Sequence, residues 1–310
     1  MRNMKKLRYF IVFCLAVSCL FVDLGRAEQP SSFRFALTGD PRDGLSKWRH
    51  TLKQMKANIS EEFAFHITAG DYFEDDRSTM AIDFYDALKA EFGADVKWYP
   101  GVGNHELKGG AIDLAWLRQY YRDHLIGKVN PGPKGCEETT YSWDYKNAHF
   151  VQLNMYYDGS KYEKDGEFHD IQYNWLVEDL NRNTRPVVFV IYHEPAFPNG
   201  RGGKDDSPPQ WKRFMKVLND RKVVAGLCAH THTYARYQVE GDWETFTWEV
   251  DAGNAGRMSH GDKHQTFVDI TVYDDGRVKF DTWQGLEGAD FKKTDSWTVK
   301  TSVQAGSVRK

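Results

Sequence analysis

Residues 98–106 read Trp98-Tyr99-Pro100-Gly101-Val102-Gly103-Asn104-His105-Glu106. An apolar start breaks into a glycine-bearing turn. The turn then delivers an amide, an imidazole and a carboxylate in consecutive positions. The same pattern recurs along the chain. Phe33 to Thr38 (FRFALT) ends in Gly39-Asp40-Pro41-Arg42, and Phe63 to Thr68 leads to Gly70-Asp71. Val187 to Tyr192 (VVFVIY) ends in His193, and Val223 to Cys228 ends in Ala229-His230-Thr231-His232. Each leading segment is a short apolar run of the kind that forms a buried strand. In α/β sheets, ligands collect beyond the carboxyl ends of such strands, which is where these polar clusters fall.

Between the runs the period changes to that of helices. Leu45, Trp48, Leu52 and Met55 recur at spacings of three and four, as expected of an amphipathic helix. Ile82 with Leu88, Ile171 with Trp175, Leu176 and Leu180, and Trp211 with Met215 and Leu218 predict three more. Val96 to Tyr99 is a short strand, residues 127–140 form a Gly/Pro-rich loop, and Tyr141 to Tyr145 with His149 to Asn154 read as a strand pair. After residue 233 only strands are predicted: Ala235 to Glu240, Thr245 to Asp251, Thr266 to Tyr273 and Val278 to Trp283, the last two joined by the turn Asp274-Asp275-Gly276. The order βαβαβα followed by strands implies an α/β protein with helices packed on the outer faces of its sheets.

Composition sets the frame. The chain has 310 residues, 41% hydrophobic and 27% charged, as in soluble globular proteins. With no linker and no internal repeat, residues 28–310 are expected to form a single domain with a β-rich C-terminal part. Residues 1–27 differ: Arg2, Lys5, Lys6 and Arg8 precede an apolar stretch from Tyr9 to Val22, and Gly25-Arg26-Ala27 follows. This predicts a cleaved signal peptide and a secreted or periplasmic protein. A retained anchor is disfavoured, because the apolar stretch of about 14 residues falls short of the roughly 20 needed to span a bilayer. A minor alternative is a lipoprotein signal with Cys19 lipidated. Cleavage would move the formal net charge from −3 to −7 and leave no basic block, which argues against nucleic acid or an anionic membrane as partner. A monomer or small homo-oligomer is expected. Cys136 and Cys228 would remain; an oxidising compartment permits a disulfide, although Cys228 reads as a small core residue.

Taken singly, each polar cluster has a plain explanation. A Gly-Asp after a strand is commonly a turn, and a lone histidine is commonly structural. The set is what argues for chemistry. Asp40, Asp71, Asn104, His193, His230 and His232 are oxygen and imidazole donors suited to Zn, Mn or Fe, and all fall at predicted strand ends.

In these motifs the chain resembles the calcineurin-like metallophosphoesterases, a superfamily that includes the purple acid phosphatases. Its pattern is Asp-x-His, Gly-Asp, Gly-Asn-His-Asp/Glu, a later His, and Gly-His-x-His. The likeness runs from about Phe33 to His232, with further similar stretches at Tyr141 to Tyr145, His149-Phe150, Gln172 and Trp175-Leu176. It implies a four-layer α/β/β/α sandwich of two mixed β-sheets flanked by helices. It also implies two divalent or trivalent transition metal ions bridged by Asp71, the first completed by Asp40 and His232, the second by Asn104, His193 and His230. The implied activity is hydrolysis of a small phosphorylated substrate, a phosphomonoester or phosphodiester, by a metal-bound hydroxide. His105 would protonate the leaving oxygen or bind a phosphate oxygen, and Glu106 could orient His105.

The sequence departs from the pattern at Arg42, where a histidine ligand is usual. A guanidinium has no available lone pair and stays charged, so it cannot replace that ligand. Arg42 could grip a substrate phosphate, turn outward and leave the position to water or Asp43, or mark a weak first site. A non-catalytic or mononuclear phosphate-ester- or metal-binding protein on the same fold is therefore the alternative reading. Glu74 stands where the purple branch has its metal-binding tyrosine, so no iron–tyrosinate colour is expected; Tyr72 and Tyr192 are not assigned that role. Ala229 replaces the usual glycine of the last motif. His66 and His149 read as structural. His169, Arg201 and the stretch Asn254 to His260 are weaker candidates to line the pocket.

Overall fold

The computed structural model describes residues 31–42, 44–59, 63–72, 78–107, 113–160, 162, 166–196, 209–238, 247–256 and 262–301. The segment 1–27 read as a signal peptide, with Cys19, and also Asp43, Glu74 and Arg201, lie outside those residues. Among the described residues no helix is long and apolar enough to cross a membrane.

In chain order the strands are β1 (Ser32–Thr38), β2 (Phe63–Thr68), β3 (Trp98–Pro100), β4 (Asn130–Pro131), β5 (Tyr141–Tyr145), β6 (Ala148–Gln152), β7 (Val187–Ile191), β8 (Ala225–Cys228), β9 (Tyr234–Gln238), β10 (Trp248–Ala252), β11 (Gln265–Tyr273), β12 (Arg277–Gly285) and β13 (Lys292–Lys300). The α-helices are α1 (Leu45–Asn58), α2 (Ser78–Phe92), α3 (Asp113–Tyr120), α4 (Asp170–Arg182) and α5 (Pro209–Asp220). Two mixed sheets result, ordered β13-β12-β11-β1-β2-β3 and β4-β5-β6-β7-β8-β10-β9. Strands β1, β2 and β3 run parallel, as do β6, β7, β8 and β10. Parallel neighbours bring their carboxyl ends, and the loops that follow them, to one edge.

The continuous apolar runs are explained by burial on both faces. Phe35 of β1 and Phe65 of β2 meet Phe150 of β6 with ring centroids 5.2 and 5.3 Å apart, so these side chains form the layer between the sheets. The alternate residues Val151, Val188 and Val190 face the other way, into a second cluster with Trp175, Leu176 and Leu180 of α4 and Trp211, Phe214 and Leu218 of α5. On the opposite side, Trp48, Leu52 and Met55 of α1 are buried, and the Trp48 ring lies 5.4 Å from that of His66 on β2. Helix, sheet, sheet and helix thus stack in the order that the sequence resemblance implied.

Several elements differ from expectation. Ile82 and Ile171 are exposed, not core-facing. The buried stripe of α2 runs instead through Ala81, Phe84, Ala87 and Leu88. On α4, Gln172 is buried because the Tyr157 carbonyl needs a donor, which its Nε2 supplies at 2.7 Å. Helix α3, its π-helical continuation Tyr121–Leu125, β4 and β13 were not anticipated. Cys136 and Cys228 are both buried and unbonded, and Cys228 belongs to the core, as its apolar setting suggested.

Candidate active site

Five loops, after β1, β2, β3, β7 and β8, converge at one edge. Backbone hydrogen bonds stitch them together: Ala69 N donates to Thr38 O at 2.8 Å, Gly101 N to Thr68 O at 2.6 Å and Ala229 N to His193 O at 2.9 Å. Ala255 N donates to Gly39 O at 2.8 Å and ties the two sheets across the site. Close approach makes particular glycines obligatory. A Cβ on Gly103 would overlap the Asp71 carboxylate and lie 2.9 Å from His193 Cε1. One on Gly39 would overlap the Ala229 methyl, so the alanine in the last motif is accommodated by a bare backbone opposite.

Four side chains of the predicted set sit on left-handed backbone: Asp40 at φ 46°, Asp71 at 59°, His230 at 72° and His232 at 60°. Non-glycine residues seldom adopt this region, and its cost of about 1–3 kcal/mol per residue is characteristic of functional sites. It turns the chain sharply at the end of each strand.

The structure brings all six predicted donors together. Donor atoms of Asp40, Asp71 and His232 lie within 4.8 Å of one another, and all three residues are buried. His232 Nε2 is 3.1 Å from Asp40 Oδ1. A second series of contacts runs from Asn104 Oδ1 to His230 Nδ1 at 3.2 Å, on to His193 Nε2 at 3.3 Å, and from there to Asp71 Oδ1 at 3.4 Å. Ligands at 2.0–2.1 Å around a tetrahedral ion stand about 3.3–3.4 Å apart, so these spacings fit the edges of a metal coordination shell. Asp40 Oδ1 and Asp71 Oδ2 are buried, the first facing His232 Nε2 and the second the Arg42 guanidinium, a placement that fits carboxylate oxygens serving a cation. Asn104 and His230 are the partly exposed members and mark where the site opens.

Other groups fix these side chains. His193 Nδ1 faces Ala69 O at 2.7 Å, and a donated proton there leaves Nε2 as the ligating nitrogen. His230 N donates to Asp40 Oδ2 at 2.8 Å. Burial alone would raise the Asp71 carboxyl and lower His193. The charges override it, with His193 foremost and Arg42 behind it holding Asp71 well below the usual carboxylate range. Asp71 and Asp40 push His193 up to about 10. His230 is lowered by burial and by the charge on His193. The field that holds a proton on His193 also draws a metal cation.

Arg42 is buried in the site and does not turn outward. Its Nε lies 3.1 Å from Asp71 Oδ2, and its Nη1 is hydrogen-bonded to His105 Nδ1 at 3.2 Å. Glu106 is buried among backbone donors. It accepts from Gly103 N at 2.6 Å, Asp71 N at 2.7 Å and Tyr72 N at 2.8 Å, and so clamps the loops after β2 and β3.

Two residues on β10 escaped the sequence reading. Glu249 Oε2 accepts from Tyr192 OH and Ala196 N, each at 2.7 Å, and so brackets the loop that carries His193. Asp251 accepts from Thr231 Oγ1 at 2.5 Å and Gly253 N at 2.8 Å, and so holds the turn between His230 and His232. The available signal was two acids at alternate positions of an otherwise apolar strand. Of the weaker candidates, Asn254 is buried with Nδ2 3.3 Å from Asp262 O, and His169 flanks α4 with Nδ1 3.9 Å from Asp158. His66 is fully buried against Thr38, and His149 is held between Asp144 and Asp179, both structural roles as expected.

Among solved structures, a purple acid phosphatase from yellow lupin (Lupinus luteus) is similar at 19% identity and TM-score 0.60, with 88% of this chain and 54% of that one covered. This chain therefore spans about half the length of the lupin enzyme. A dimetal phosphatase from Danio rerio is similar at 14% identity and TM-score 0.60 over 88% of this chain and all of that one. GAP50, described as the anchor in the inner membrane complex of Plasmodium, is similar at 12% identity and TM-score 0.58 over 88% and 90%. These likenesses show the fold. No curated protein sequence matches. The family model for calcineurin-like phosphoesterases matches residues 33–234, the span that contains all five converging loops, and the chain belongs to that family.

Proposed function

We propose that this protein hydrolyses a small phosphate ester, with two transition metal ions held by Asp40, Asp71 and His232 and by Asp71, Asn104, His193 and His230. The observation that carries the reading is that two donor groups share Asp71, one with successive contacts of 3.2–3.4 Å and one with its donor atoms within 4.8 Å of one another. A carboxylate suits the shared position, since its charge offsets the repulsion between two cations. Bound there, Zn, Mn or Fe would supply a water of lowered pKa and electrophilic stabilisation of the phosphoryl oxygens. Asp71 and Asp40 hold the positive charge in place, and Glu106, Glu249 and Asp251 keep the donor loops from moving. His105 meets the reacting group, either at the leaving oxygen or at a phosphoryl oxygen. Export through residues 1–27 is part of the same proposal.

A second reading, a mononuclear or non-catalytic phosphate-ester binder, is favoured by one observation: Arg42 sits against Asp71 where a further ligand would otherwise complete the first group. The deciding experiment measures metal content by elemental analysis and turnover of aryl phosphate mono- and diesters with Zn, Mn or Fe, for wild type and Asp71→Asn. Two ions per chain and turnover lost in the variant are expected. A folded protein with no turnover under any metal would refute the enzymatic reading, and one ion per active chain would refute the dinuclear one.

A further inference from the structure

We infer that Arg42 is a positioning residue that fixes His105 as its Nε2–H tautomer, so that His105 serves the reaction as a neutral hydrogen-bond donor to a phosphoryl oxygen and not as a proton-releasing acid. The consequence for catalysis rests on the phosphate-ester reading above; the tautomer does not.

The Arg42 guanidinium sets the polarity. It carries five N–H donors, no acceptor, and a charge that it keeps in proteins. A hydrogen bond between Arg42 Nη1 and His105 Nδ1, 3.2 Å long and buried, therefore has one polarity: Arg42 donates and Nδ1 accepts. A ring that accepts at Nδ1 holds its proton at Nε2. Both partners are pinned to the same residue, which keeps the pair from swinging apart. Arg42 N donates to Asp71 O at 3.3 Å and its Nε faces Asp71 Oδ2 at 3.1 Å, while His105 N donates to Asp71 Oδ1 at 3.0 Å. His105 Nε2 lies 3.9 Å from Asp71 Oδ2, beyond hydrogen-bond reach of that oxygen but beside the carboxylate that the two donor groups share.

The chemistry follows from the tautomer. A neutral imidazole that gave up its Nε2 proton would become an imidazolate, an unfavourable product, so this ring is built to donate a hydrogen bond and keep the proton. A preorganised donor of that kind stabilises charge on an oxygen that gains it in the transition state. Arg42 thus gives up metal ligation at its position and sets the polarity of the neighbouring histidine.

The experiment has two arms. In the first, the ring nitrogens of the 15N-histidine-labelled full chain are observed by NMR, with zinc and after metal removal, and His105 is assigned by its loss in His105→Gln. We expect Nδ1 unprotonated and Nε2 protonated in wild type, and a tautomer mixture in Arg42→Met, or in Arg42→Leu if the first variant does not fold, since neither side chain can donate to Nδ1. A protonated Nδ1 in the wild type would overturn the inference, as would an unchanged tautomer in a folded Arg42 variant. In the second arm, His105→Ala is expected to lower kcat/KM by about 10²–10³-fold, the loss typical of a removed oxyanion donor. His105→Gln, which keeps an N–H donor but no acid, should recover most of it. The losses should be equal for aryl phosphates with good and poor leaving groups; a loss that grows as the leaving group worsens would restore the general-acid role. If no ester were turned over, the phosphatase reading would fail while the first arm still decided the tautomer.

Discussion

Replacing Glu106 by glutamine tests whether a buried carboxylate, and not packing, holds the Asp71 loop. The wild-type side chain is 1% exposed. Oε2 accepts from Asp71 N and Gly103 N, and Oε1 from Tyr72 N. Glutamine has almost the same shape, so it leaves no cavity. Its amide oxygen can keep the two donors at the Oε2 position, but the NH2 group then faces the Tyr72 N–H, donor against donor. One buried N–H loses its partner at a cost of about 1–3 kcal/mol, and the two bonds that remain lose the strengthening of a charged acceptor. Together these give a destabilisation of about 2–4 kcal/mol. Loosening the loop that presents Asp71 should also weaken metal binding by about 10–100-fold, the usual effect of removing an outer partner of a ligand. Urea unfolding at fixed pH reads the first quantity, and competition with a chromophoric chelator reads the second. A Glu106→Gln protein that unfolds within about 0.5 kcal/mol of wild type, the range of an inert surface change, and binds metal equally well would refute the reasoning.

Two further predictions concern His66, buried within β2, and Gly103 of the site. Burial lowers His66 from 6.5 to about 3, so between those values the unfolded chain binds a proton that the folded chain refuses, and stability falls as pH drops from 6.5; at pH 5 the loss is about 2 kcal/mol, and chemical denaturation at pH 7 and 5 should show it shrinking in His66→Gln. Gly103→Ala must push the Asp71 carboxylate and the His193 ring aside, and should cost about 1–3 kcal/mol in thermal or urea unfolding together with most of the bound metal; a variant that keeps full metal content would show that the loops have slack.

The limits of the sequence reading have physical causes. Strands β1, β2 and β7 were legible within a residue because most of their positions are buried, which keeps β7 wholly apolar and β1 and β2 largely so, with Arg34 and His66 the interruptions. Strand β13 was not: along Lys292–Lys300 only Val299 is buried, and an edge strand with a solvated face carries Lys, Asp, Ser and Thr like a loop. Helix α3 was hidden because its continuation widens to a π-turn at Tyr121–Leu125, so the aromatic ladder of Trp116, Tyr120 and His124 does not read as a simple buried stripe. All six candidate ligands were visible, since their types and strand-end positions are local properties. The pairing of Arg42 with His105, the clamp made by Glu106 and the two props on β10 depend on contacts between residues far apart in the chain, which no local pattern encodes.

The left-handed backbone at Asp40, Asp71, His230 and His232 has a consequence for how this centre is best dissected. Alanine at any of the four would remove the donor atom and also place a residue poorly suited to that conformation there, so an alanine scan would mix a conformational penalty with the chemical loss. Glycine enters the left-handed region without a Cβ penalty and carries no donor atom. A scan with glycine at these positions would therefore separate what the donor contributes from what the turn requires, and the difference between the two scans would itself measure how much of the chain's stability is committed to the geometry of its own centre.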